Sequence, residues 1–323
     1  MRSFALLAAF FGLAFLTGLT AYYGFGAVIT AVASSSWATA FVVAARAVAL
    51  VGAGIGWWAL IPARQRGPSA FVLLRFVREA INSFFPFAVI GGDVIGARLL
   101  ARFGIVTNLA VASVLVDIFI QVVCLCCFVL AGLGILLSLV GQQQVGTTAI
   151  VILAIAIPAV GGFFIALNFG AHEPLVRWLL AFGERRQWSA FAHIVDLGAR
   201  LQQIWSNHRG LSESFVVHLA AVFFGAAEVW IALAFMGHPV SLIEAVAIES
   251  LGQGSRSAAF MLPGGLGVQD GALIAVCAIF GVPAEIALAM ALIKRVPDLV
   301  LGAPALLGWQ ALEGRRRVLI AND

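Results

Sequence analysis

Long apolar runs separated by short polar or basic stretches set the pattern of this chain. Windows rich in apolar residues fall at 4–23, 39–61, 106–136, 148–169, 212–236 and 286–310. Runs of about 20 such residues predict membrane-crossing helices, because a bilayer offers no hydrogen-bond partners and the backbone must close its own bonds. Two further stretches, 69–104 and 240–283, are apolar but broken at their centres. The first contains Pro86, Gly91 and Gly92, the second Pro263, Gly264, Gly265 and Gly267. Each half is too short to cross a membrane, so the pattern predicts two re-entrant helical hairpins, covered by protein or facing a watery cavity. Residues 172–209 interleave charges with Trp178, Leu179, Phe191, Ile194 and Leu197, a pattern suited to helices lying on the membrane surface.

Composition agrees. Hydrophobic residues make up 62% of the 323, charged residues 11%, and mean hydropathy is +1.06. A soluble chain carries roughly a quarter charged residues. The reading is therefore one all-α integral membrane domain over 1–323. The pI of about 9.2 does not call for nucleic acid. Fifteen of the nineteen Lys and Arg fall in segments that one membrane side can hold, as the positive-inside bias requires. Arg2 followed by an apolar run reads as a retained signal-anchor helix, because Ala31-Val32-Ala33 lies too far from it for a cleavage site. Cys124, Cys126, Cys127 and Cys277 lie inside apolar runs without CxxC pairing and read as packing or lipid-facing residues, not metal ligands.

The two broken stretches also align with each other without a gap. Pro86 matches Pro263, Asp93 matches Asp270, and Phe103-Gly104 matches Phe280-Gly281, at a shift of 177 positions. This predicts an internal repeat, about 69–136 and 240–310. With Arg2, the basic segment 172–209 and Arg315-Arg316-Arg317 on the cytoplasmic side, the hairpins enter from opposite faces. That arrangement, an inverted repeat with broken helices, is a transporter architecture. Gly132, in an ordinary span, is expected to tolerate alanine.

Ionisable residues at membrane depth are costly and are functional candidates by default. These are Glu79, Asp93, Arg98, Asp117, Glu228, Glu249, Arg256, Asp270, Lys294, Arg295 and Asp298, joined by Gln253. All are read as candidate headgroup-binding residues. Arg75, Arg78 and Arg102 are expected to snorkel to the interface. Asp93 and Asp270 follow the breaks, where an acid can cap a resumed helix or meet a ligand. Lys294 and Asp298 are four apart and can pair within a helix. Asp117 occupies the position equivalent to Lys294, so a cross-repeat ion pair between them is a second expectation. No HExxH, GxSxG, GxxxxGK[ST] or complete GxGxxG occurs, and the five histidines show no ligand spacing. No enzyme, cofactor or metal is expected.

The stretch Pro263-Gly-Gly-Leu-Gly-Val-Gln-Asp-Gly-Ala, with Phe280-Gly-Val-Pro283 and Arg295, resembles the C-terminal hallmark of the flippase-like membrane family. That family includes the transmembrane region of lysylphosphatidylglycerol synthases. Gly92-Asp93-Val-Ile-Gly-Ala-Arg98 resembles its N-terminal hallmark, and Gly56-Trp57-Trp58 stands where a Trp-Arg segment is common. Asp93 and Asp270 replace the family's usual Glu, and Asp117-Ile118 stands where a Glu-Arg pair is frequent. The Gly-Gly-Asp variant is most similar to the branch found with hopanoid biosynthesis. A soluble aminoacyl-transferase domain is not recognisable in the sequence, so lysyl transfer is not expected. The resemblance implies a bacterial inner-membrane protein with both termini cytoplasmic that moves a polar-headed lipid, phospholipid or hopanoid-type, between leaflets. The alternative is a non-transporting accessory subunit that docks lipid-biosynthesis enzymes through 172–209.

Overall fold

The computed structural model describes residues 36–84, 91–140, 192–258 and 267–320. These form helices α1 (Ser36–Ala59), α2 (Pro68–Phe84), α3 (Gly91–Arg102), α4 (Thr107–Val140) and α5 (Ala192–Trp205). They continue as α6 (His208–Phe235), α7 (Leu242–Ala258), α8 (Val268–Ile279), α9 (Ala284–Ile293) and α10 (Val296–Ile320). Three of them, α1, α4 and α6, are long and apolar enough to cross a bilayer. Their outward faces carry bulky apolar side chains: Trp37 is 73% exposed and Val216 62%. Water would penalise that surface, and lipid does not. The protein is a multi-pass helical membrane protein.

Predicted spans 39–61, 106–136 and 212–236 correspond to α1, α4 and α6 within a few residues. Spans 4–23 and 148–169 lie outside the described residues, as do 172–191 of the amphipathic segment. Its remainder is α5, whose Leu197, Leu201 and Trp205 recur every four residues and face the core beside α4. Asn108 fastens that helix to α4 by donating to Asp196 at 2.7 Å, and Asn207 then caps α6 through Gly210 N at 3.2 Å.

Span 286–310 is not one helix. Pro297 has no N–H to offer and its ring crowds the carbonyl four residues back, so the chain turns at Lys294-Arg295 and restarts as α10. This break also separates Lys294 from Asp298, and the expected pair within one helix is absent among the described ion pairs.

Each broken stretch is a packed pair of helices, α2 with α3 and α7 with α8. At 17 and 12 residues, these helices are about 25 and 18 Å long, short of a 30 Å hydrocarbon core. Residues 85–90 and 259–266, with Pro86, Pro263, Gly264 and Gly265, lie outside the described residues. The bounds of α3 shifted by 177 coincide with those of α8, and the starts of α4 and α9 coincide likewise. Gly104 and Gly281, also equivalent, both have positive φ, at 93° and 72°. Each pair has its own apolar core. One gathers Trp57, Phe71, Leu74 and Leu100, and the other gathers Leu233, Leu273, Cys277 and Leu288. Cys124 and Cys277 are buried packing residues, and no metal-binding cluster occurs among the described residues.

The expectation for Gly132 is corrected here. A Cβ at this position would collide with Ser250 Oγ on α7, whereas one at Gly134 meets nothing within 4 Å. Gly132→Ala should therefore destabilise by about 1–3 kcal/mol, while Gly134→Ala should be neutral or slightly stabilising. Thermal unfolding in detergent separates the two, and adding Ser250→Ala should recover part of the Gly132→Ala loss. Equal melting temperatures for the two single variants would contradict this packing.

Candidate functional site

Helices α1 and α6 run antiparallel, with Gly56 against His218 and Arg46 against Glu228. His218 and Glu228 are ten residues apart, about 15 Å along α6. Each anchors a separate buried charge cluster.

In the first cluster Asp117, wholly buried on α4, accepts from Arg78 Nη1 at 2.7 Å, Gln121 Nε2 at 2.8 Å and pairs with His218 Nε2 at 2.9 Å. Arg75 Nη1 stands 3.8 Å from the same carboxylate. Arg78 also donates to Asp93 from Nε at 2.9 Å and Nη2 at 2.6 Å. Its guanidinium lies 4.6 Å from the Trp57 ring centroid, and Trp57 Nε1 donates to Ser113. Close helix approach makes this possible. A Cβ at Gly96 would sit 2.6 Å from the Arg78 stem, and Gly92 N donates to Asn82 Oδ1 at 3.0 Å. The expectation that Arg78 snorkels to the interface is wrong: it is 1% exposed, and its charge is met by two carboxylates rather than by water. Arg75 is likewise turned inward and bonds Glu79 at 3.3 Å.

The second cluster has the opposite sign at its centre. Lys294 Nζ contacts the Glu249 carboxylate directly, with Glu228 at 3.8 Å and the Gly225 carbonyl at 3.5 Å. Gln253 donates to Glu249 at 3.0 Å, one turn along α7. Arg46 Nη2 lies 3.2 Å from Glu228. The expected pair between Asp117 and Lys294 is therefore contradicted. The equivalent positions do carry opposite charges, but each is neutralised within its own half, Asp117 by α2 and Lys294 by α7.

Asp93 and Asp270 sit in the first turns of α3 and α8, where a carboxylate favours the helix N-terminus. Asp270 accepts from Gly267 N at 3.0 Å and from Arg295 at 2.8 Å. Gly267 has φ 82°, a conformation that costs glycine nothing.

Between α1, α2 and α10 lies a small, partly open cleft. Arg46, Glu79 and Asp298 project into it beside Ser83, and Leu50, Phe76 and Leu301 form apolar wall. Arg256 is within electrostatic reach of both Glu79 and Asp298. Of the residues singled out in the sequence, Glu79 and Asp298 reach the cleft directly. Arg98 lies on the exposed face of α3 and does not line it. Asp93, Asp117, Glu249, Gln253, Asp270, Lys294 and Arg295 brace the surrounding helices.

A family model for the lysylphosphatidylglycerol synthase transmembrane region matches residues 4–305. The chain belongs to that family. No curated protein and no solved structure matches it. As a lysylphosphatidylglycerol synthase transmembrane-region protein it has a membrane lipid-related role. The match extends from the N-terminal apolar run into α10, so it spans both charge clusters and the cleft.

Sequence reading missed three contributors. Arg46 is not among the sequence candidates, Arg78 is assigned there to the interface, and the histidines show no ligand spacing that would single out His218. The first two carry the same signal as the chosen candidates, an ionisable residue inside an apolar helix. His218 is marked only by Gly56, a glycine in a span that leaves room for its ring.

Proposed function

We propose that this protein is a bacterial inner-membrane lipid transporter that moves a polar-headed lipid, phospholipid or hopanoid-type, between leaflets. The supporting observation is the cleft, which joins both signs of charge, Arg46 with Glu79 and Asp298, to an apolar wall. A lipid presents that combination: a charged or zwitterionic head attached to chains that prefer hydrocarbon. The shared element bounds of the two helix pairs support an internal repeat; the proposal completes it as an inverted one of six spans, the last broken at Lys294-Arg295, and two re-entrant hairpins, with both termini cytoplasmic. On this reading the buried clusters stiffen each half, and the cleft lies where one half moves against the other.

Proteoliposomes holding a fluorescent phospholipid test the idea through its leaflet exchange, read by membrane-impermeant quenching. With the intact protein the quencher should consume fluorophore from both leaflets, and Glu79→Gln or Asp298→Asn should slow exchange about tenfold, equivalent to about 1.4 kcal/mol. Exchange no faster than in protein-free vesicles would instead favour the accessory-subunit reading.

A further inference from the structure

Arg46 belongs to two sites at once. Its side chain lines the cleft, and its Nη2 is 3.2 Å from Glu228. Glu228 is wholly buried, yet neither of its carboxylate oxygens receives a hydrogen bond among the described residues. Arg46 Nε is also buried without a hydrogen-bond partner there. The contrast with Asp117 is informative. Both are carboxylates at 0% exposure, but Asp117 is held by directed bonds from three side chains, while Glu228 is balanced by charge alone.

The charged groups facing Glu228 are Arg46 from α1, Lys294 from the end of α9, Glu249 from α7 and Asp298 from α10. Lys294 is committed to Glu249 and stands farther from Glu228 than Arg46 does. Arg46 in turn faces Glu228, Asp298, Glu79 and Glu249. Arg46 is thus the main counter-charge of Glu228 and is also the cation at the cleft wall. A guanidinium fork suits phosphate through two parallel hydrogen bonds, and Arg46 Nε has none to give up.

We propose that Arg46 leaves Glu228 to bind the phosphate of a lipid headgroup entering the cleft, and that Glu228 takes up one proton as it does so. This rests on the transport reading above. A buried carboxylate stripped of its partner is far costlier than a neutral carboxylic acid, so the proton follows the phosphate. The balance closes: no bond between heavy atoms changes, a proton passes from water to a Glu228 oxygen, and its charge offsets that of the phosphodiester. Release of the headgroup returns Arg46 to Glu228 and expels the proton.

The test uses the full chain in detergent and short-chain dihexanoyl phosphatidylglycerol, whose phosphodiester stays ionised near neutral pH. Calorimetric titration in two buffers of different ionisation enthalpy counts protons on the unmodified protein, so no variant needs to fold. About one proton should be taken up per lipid bound. On this proposal Glu228 gains a proton as the lipid binds, so binding weakens as pH rises, by up to about tenfold per unit. Dihexanoylglycerol, which lacks phosphate, should take up none. Glu228→Gln should bind phosphatidylglycerol without proton uptake and with a flat pH profile, and Arg46→Gln should lose the preference for the phosphate-bearing lipid. No binding of phosphatidylglycerol, or binding without protons, overturns the proposal. Proton uptake without leaflet exchange would remove the transport reading and leave this site standing, and exchange without proton uptake would do the reverse.

Discussion

Arg78→Met is expected to destabilise the protein by about 3–5 kcal/mol, more than Asp117→Asn does, although Asp117 is the more buried of the pair. The order follows from what each change strands. Without Arg78, Asp117 keeps, among the described residues, His218, Gln121 and a more distant Arg75, and Asp93 loses two hydrogen bonds at once. Without the Asp117 charge, Arg78 still donates twice to Asp93 and still lies over Trp57. Asp117→Asn should therefore cost roughly 1–3 kcal/mol, in the range of a lost charged hydrogen bond. Tryptophan fluorescence during thermal unfolding in detergent reads both, with size-exclusion profiles checking for aggregation. Equal losses, or a larger loss for Asp117→Asn, would show that Asp93 is not an effective partner of Arg78.

Lys294→Met should be nearly as damaging, and the partner that rescues it should be Glu249. Removing the ammonium leaves Glu249 and Glu228 to share Arg46, two buried carboxylates for one cation. Adding Glu249→Gln removes the excess charge, and at least half of the lost stability should return. Asp117→Asn should give no such rescue. It belongs to another cluster, about 15 Å away along α6, and effects at separated sites add to within about 0.5 kcal/mol. The same unfolding measurement on the four variants decides the matter. Recovery of Lys294→Met by Asp117→Asn would mean that the two halves share one charge network after all.

Both expectations reverse an inference that position in the repeat invited. Equivalent positions carrying an acid and a base look like partners, yet an ion pair needs proximity across helices, not equivalence along the chain. Each helix pair brings its own counter-ion, Arg78 on α2 and Glu249 on α7, within a few ångströms of the helix that follows it. Neutralisation within a half lets that half keep its charges balanced whatever its position relative to the other.

The sequence by itself determined the solvent and the elements. Apolar runs of bilayer length placed α1, α4 and α6, because hydrophobic transfer is a sum over neighbours in the chain. Gly and Pro clusters marked two broken helix pairs, and the shift of 177 positions foretold element bounds that coincide. The hallmark around Gly267 and Asp270 pointed to the family whose model covers 4–305. Only the tertiary structure decided which charges meet. Arg78 pairs with a residue 39 positions away and His218 with one 101 away, and neither separation leaves a periodic trace. Pairing at such range depends on the rotation and depth of each helix, which are set by close contacts such as Gly96 against the Arg78 stem. The break at Lys294-Arg295 was within reach, since Pro297 announces it, but the hydropathy of 286–310 hides a proline among apolar neighbours. The double placement of Arg46, at Glu228 and in the cleft, exists only once α1, α2, α6 and α10 are packed together.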